Sequence, residues 1–170
     1  MIKIICIVCV FSACIYISKI LTKSLKIRLV VLNCFYRDMC FFKDLATKQG
    51  KDILSIFKLL SVRNNCLANI YIDVYENAHK KPNTMINKLW YDSVNLHAKN
   101  TISDIDLEII SEFSHVLDSL KSIGLGEIME KYESDLLIYI KENKKDISKK
   151  TSMYEKFGFI IGAFFGILLL

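Results

Sequence analysis

The chain has 170 residues, 52% of them hydrophobic, with a formal charge of +5, six cysteines and one proline. Setting aside two apolar ends leaves about 130 residues, the length of one compact domain, so several independent domains are excluded. The positive surplus lies beside the apolar ends without an aromatic-basic motif, which argues against nucleic acid and for a topology signal in a membrane-tethered protein.

Lys3 opens an apolar run, Ile4 to Ser18, which Lys19 closes. As a helix the run rises about 22 Å, and Lys3, Lys19 and Lys23 can reach the headgroup layers on either side. Residues 1–21 are therefore read as an N-terminal membrane anchor, or an uncleaved signal-like segment. Two other fates stay open. Ala13-Cys14-Ile15 is a poor small-residue cleavage site for a signal peptide, and Phe11-Ser12-Ala13-Cys14 approximates a lipobox, with Phe11 where an aliphatic residue is expected. Cys6-Ile-Val-Cys9 spells a CxxC motif, but no second pair and no histidine at ligand spacing accompanies it. Cys14, Cys34, Cys40 and Cys66 complete the set, and His79, His97 and His115 each stand alone, so no metal centre, redox pair or cofactor is expected.

Residues 22–152 read as helices throughout. Leu25, Leu29, Leu32, Phe35, Tyr36, Met39 and Phe42 keep helical spacing and end before Gly50. Asp52 is a candidate cap for a short helix with Ile53, Ile56, Phe57 and Leu60. A third helix carries Leu67, Ile70, Tyr71, Val74 and Ala78 and stops at Pro82; Thr84 is placed to cap a fourth with Ile86, Leu89, Trp90 and Val94. Ser103-Asp-Ile-Asp106 resembles a capping box with aspartate in place of glutamate, opening a fifth helix through Leu117. Gly124 and Gly126 break the chain. From Glu127 onward nothing interrupts helical periodicity before Gly158, so this helix is expected to run into the terminal segment. Glu127, Glu130, Glu133 and Asp135, with Lys131 among them, look like a solvated helix face.

Residues 153–170 are read as a C-terminal transmembrane helix, with a buried core helix as the alternative, because fourteen apolar residues rise only about 21 Å. From Phe157 onward there is neither a charge nor a hydroxyl, and Lys156 and Tyr154 stand where the headgroups begin. Gly158, Gly162 and Gly166 repeat every fourth residue, a spacing that lets another helix approach closely in lipid. The first span is the nearest candidate, through its small residues Ser12, Ala13 and Ser18, and a second copy of the chain or another subunit is the other. Lys19, Lys23, Lys26 and Arg28 on one side of the middle domain, and Lys141, Lys144, Lys145, Lys149, Lys150 and Lys156 on the other, diluted by Glu142, Asp146 and Glu155, place that domain on the cytoplasmic face. No P-loop, GxSxG, HExxH or dinucleotide fingerprint occurs, and no nucleophile–base set is visible, so an interaction protein rather than an enzyme is expected.

The Met153-Tyr154-Glu-Lys-Phe157-Gly158-Phe-Ile-Ile-Gly162 ending, the lone Trp90 and the stretch from Asp106 to Leu117 leading to Leu120–Gly124 resemble the stage III sporulation protein AB family of endospore-forming bacteria. The chain departs from that pattern at Asp38-Met39, where the family has Glu-Ile, and at Thr47–Gly50, where it has proline. The resemblance implies an all-α fold: a bundle of about five to six helices between two short membrane-anchoring helices, similar to the cytoplasmic domain of type II secretion F-type platform proteins. It further implies a non-enzymatic, platform-like subunit of the channel between mother cell and forespore. Its partners are then the other channel subunits, a secretion-type ATPase and the bilayer, with no nucleic acid and no small-molecule substrate. The alternative is a lipidated or membrane-anchored exported helical protein with a binding role unrelated to sporulation.

Overall fold

The computed structural model describes residues 2–63, 66–99, 102–119 and 125–168, and the side chains of all of these except residues 2–6 and 125. The Lys3 and Cys6 side chains and the Leu120–Gly124 stretch thus lie outside the described residues.

No glycine or proline precedes Gly50, and none stands between Gly126 and Gly158. α1 runs unbroken over Ile2–Lys43 and α6 over Leu125–Leu168; Gly126, expected to break the chain, lies in the first turn of α6, and Gly158, Gly162 and Gly166 are also helical. The last helix thus runs into the terminal segment as expected, whereas the N-terminal anchor, expected as a short helix of its own, is the first part of α1. After α1 the chain makes a π-helical turn at Asp44–Lys48, and Gly50 takes φ 59°, a left-handed backbone that glycine adopts without a Cβ clash. Across it the Lys51 N–H donates to the Leu45 carbonyl at 3.1 Å.

Four shorter helices follow: α2 (Ile53–Ser61), α3 (Ala68–Lys80), α4 (Ile86–Ala98) and α5 (Asp104–Ser119). No strand occurs among the described residues. Asp52 caps α2 by accepting from the Leu54 N–H at 3.1 Å. Thr84 does not cap α4: its own N–H closes the turn onto Lys81, and Met85 takes the cap position with no side-chain bond. At α5 the Ser103 hydroxyl accepts from the Asp106 N–H at 3.3 Å and donates to the Asp106 carboxylate at 2.6 Å. Aspartate is one methylene shorter than the glutamate of a capping box, so its carboxylate meets the cap hydroxyl. The other carboxylate oxygen of this buried residue accepts from the Tyr139 hydroxyl at 2.8 Å, tying α5 to α6.

The chain forms two compact units, Val30–Ile140 and a second made of residues 1–29 with 141–170. In the first, α3 packs on α2 and α4, and α4 packs on α5. Each of the six helices sends an aromatic ring into the core: Phe35 and Phe42 from α1, then Phe57, Tyr71, Trp90, Phe113 and Tyr132 in helix order. Trp90 is the hub. Its ring lies 5.2–6.1 Å from those of Phe35, Phe57, Tyr71 and Phe113. Its indole N–H, which burial would leave costly if unpaired, donates to the Ile110 carbonyl at 2.9 Å.

Candidate functional site

In the second unit the N-terminal part of α1 and the C-terminal part of α6 lie antiparallel. A Cβ built on Gly158 would come within 2.7 Å of Ser18 Cβ and 3.3 Å of the Cys14 carbonyl oxygen. One on Gly162 would meet the Phe11 ring at 2.7 Å, and one on Gly166 the Ile7 side chain at 3.5 Å. Rising numbers on α6 thus meet falling numbers on α1, and the glycines line the contact. The bare Cα of Gly158 also uncovers the Tyr154 carbonyl one turn earlier, which accepts from the Ser18 hydroxyl at 2.7 Å. Phe11 closes the seam against Phe159 with ring centroids 5.7 Å apart.

The small residues expected on α1 divide. Ser18 is buried in the seam, whereas Ser12 and Ala13 are exposed, and the Ser12 hydroxyl turns back to the Val8 carbonyl at 2.7 Å. At 100° per residue the facing stripe is Ile7, Phe11, Cys14 and Ser18, from which positions 12 and 13 are rotated away. Phe11, read as an awkward lipobox residue, is the side chain that covers Gly162.

Away from the seam the terminal parts of the two helices present a largely apolar surface. Val8, Tyr16, Ile17, Ile20 and Leu21 on α1, and Phe159, Ile160, Phe164, Phe165 and Ile167 on α6, are exposed. Among the described residues α1 alone is long and apolar enough to cross a membrane. The polar boundary falls at one level, because the Ser18–Tyr154 bond sets Lys19 and Lys23 of α1 beside Tyr154 and Lys156 of α6. Lys26 reaches Glu155 at 3.8 Å there, an exposed pair of small energetic weight.

In the helical unit a polar cluster joins α1 to α6. Cys40 Sγ–H donates to Glu133 Oε1 at 3.0 Å, and the Lys43 ammonium pairs with Glu133 Oε2. Glu133 is thus not part of the solvated acidic face, which Glu127, Glu130 and Asp135 do form. The signal lay on α1, where Lys43 follows Cys40 at helical spacing. Burial, and then the bond to Glu133, push the Cys40 thiol up to about 11, so it is a protonated donor, not a nucleophile. Burial pushes the Glu133 carboxyl up, but the hydrogen bonds from Cys40 and Lys43 more than reverse this and hold it below the usual glutamate range. The same hydrogen bond from Lys43 raises the lysine.

The family model of stage III sporulation protein AB matches residues 3–170, essentially the whole chain. The chain belongs to that family. Membership gives it a sporulation-related role, and the apolar α1 adds membrane association. No curated protein and no solved structure matches the chain. Two of its cysteines, Cys34 and Cys66, lie within hydrogen-bond reach of each other, and the Arg37 guanidinium donates to Cys34 Sγ at 3.3 Å. Cys9, Cys14, Cys34, Cys40 and Cys66 are free thiols, and no group of three potential metal ligands occurs among the described residues. His79 sits on the Tyr75 carbonyl at 2.8 Å, and His97 lies 3.8 Å from Asp73.

The clamp makes this sporulation protein's stability depend on pH. Because the folded state lowers the Glu133 pKa, that stabilisation is present above the unfolded glutamate value of 4.5 and is lost as pH falls through the lower folded one. Cys40, raised from 9.0 to about 11, contributes below pH 9 and loses its contribution between there and about 11. Glu133→Gln is expected to cost about 1–2 kcal/mol at neutral pH and to flatten the acid limb. Denaturant melts of the full chain in detergent at pH 3.5 and 7 check this: the wild-type difference should shrink in the variant.

Proposed function

We propose that the chain is a non-enzymatic subunit of the sporulation channel between mother cell and forespore, with both apolar runs in the mother-cell membrane and the helical unit in the cytoplasm. It acts as a platform-like coupling component beside a secretion-type ATPase, in the manner of type II secretion F-type proteins. The observation that carries the reading is that α1 and α6 each pass without a break from the apolar ends into the aromatic core. Helices that long and uninterrupted suit transmitting or resisting force. The Cys40–Lys43–Glu133 cluster is spent on structure: its thiol is protonated and its carboxylate neutralised by Lys43.

Val62 is 77% exposed in the helical unit. A Val62→Cys chain lacking the native cysteines is expected to need a membrane-permeant reagent for labelling in intact cells. Replacing residues 30–140 by an unrelated helical bundle should leave insertion intact and abolish spore formation. Normal spore counts in that strain, or labelling of Val62→Cys by an impermeant reagent, overturn the reading.

A further inference from the structure

Just before its apolar end, α6 carries hydroxyls and cations together on one side. Ser148, Lys149, Ser152 and Lys156 fall within about 100° of helix face, and with Met153 they line an open groove of about 490 Å³. Ser152 and Lys156 also border a second groove, of about 390 Å³, which runs on along Phe159 and Ile160. These two side chains are 61% and 60% exposed and belong to the apolar run. Within about three turns, one face of α6 therefore passes from a cationic, hydroxyl-bearing surface to a hydrocarbon one. Glu155 is the acid that borders these grooves, and Lys26 of α1 stands 3.8 Å from it. Its charge is offset from within the unit, which leaves the face cationic.

We infer that this face of α6 binds a phospholipid with an anionic headgroup. Lys149 and Lys156 stand about 10 Å apart along the axis, on flexible stems that converge on a phosphate. Ser152 between them and Ser148 beside Lys149 donate their hydroxyls to it, while an acyl chain lies along Phe159 and Ile160. The junction of the two grooves selects this occupant. A free phosphate or an acidic peptide satisfies the lysines but leaves the apolar groove bare, and a zwitterionic lipid fills the apolar groove but brings no net charge to the lysines. A further transmembrane helix needs small residues for close approach, and Phe159 and Ile160 stand there instead. The inference rests on the proposed insertion of both apolar runs and goes beyond it, because insertion alone requires no choice of headgroup.

The test uses the full chain in dodecyl maltoside with equal amounts of phosphatidylglycerol and phosphatidylcholine, and native mass spectrometry counts the lipid retained. Phosphatidylglycerol is expected to be retained about tenfold over phosphatidylcholine. Lys149→Gln with Lys156→Gln should remove most of that preference. The charge-matched pair Lys144→Gln with Lys150→Gln, at exposed positions on other faces of the same segment, should leave it within a factor of about two. Ser148→Ala with Ser152→Ala, which keeps every charge, should lower it about threefold. All these changes keep good helix formers in α6. Equal losses in the two lysine pairs, no loss on removing the serines, or no preference between the lipids overturn the proposal. So does displacement of the lipid by glycerol phosphate, which makes this a site for a free phosphate ester, or by polyglutamate, which makes it a protein-docking face. Carbonate extraction of native membranes reads insertion separately, so a failure of lipid selection is distinguishable from a failure of the membrane reading.

Discussion

A side chain at Gly158 is expected to part the two terminal helices, while one at Gly166 is expected to leave them together. The glycine repeat looks uniform in sequence, but the surroundings differ. At Gly158 an added Cβ lies 2.7 Å from Ser18 Cβ and 3.3 Å from a backbone carbonyl, neither of which is the far end of a flexible side chain. At Gly162 the obstacle is the edge of the Phe11 ring, which can rotate, and at Gly166 the 3.5 Å approach to Ile7 is ordinary van der Waals contact. Overpacking of this kind costs about 1–3 kcal/mol, and Gly158→Leu also displaces Ser18 from the Tyr154 carbonyl. Spore counts and membrane fractionation separate the outcomes: Gly158→Leu should insert and fail to support spores, and Gly166→Ala should do both normally. Equal behaviour of the two variants would remove the case for a seam.

Trp90→Ala is expected to unfold the helical unit. The ring is fully buried against four aromatic side chains from α1, α2, α3 and α5. Removing it costs about 3–5 kcal/mol, a large part of a typical domain's stability of about 5–15 kcal/mol. Trp90→Phe keeps an aromatic body and loses chiefly the bond to the Ile110 carbonyl, so about 1–2 kcal/mol is expected. Limited proteolysis of the full chain in detergent should find Trp90→Ala cleaved throughout residues 30–140, with Trp90→Phe close to wild type.

Much of the helical unit was legible from residue spacing. Periodicity located Leu32, Phe35, Met39 and Phe42 on one face of α1, and all four are fully buried. Asp52 capped as a short acceptor before an apolar run should. Where the reading failed, a local rule lost to a neighbour it could not see. Thr84 has the chemistry of a cap, but Pro82 bends the chain so that its N–H closes a turn. Glu133 sits in an acidic run and looks solvated until α1 brings Cys40 and Lys43 to it. Ser12 and Ala13 are as small as a seam requires, yet helix rotation gives that role to Ser18 and, against expectation from size, to Phe11. The reading divided α1 at residue 21, although no glycine or proline precedes Gly50 to end the helix there.

The claim on which the account rests is that the two apolar runs pair with each other, within one chain, in the membrane. Oxidative crosslinking of Ile7→Cys with Gly166→Cys, in an otherwise cysteine-free chain in native membranes, tests it most directly. A disulfide linking the two peptides, with the protein still migrating as a single chain on a non-reducing gel, is the predicted result; no disulfide, or only a species of twice the mass, would contradict it.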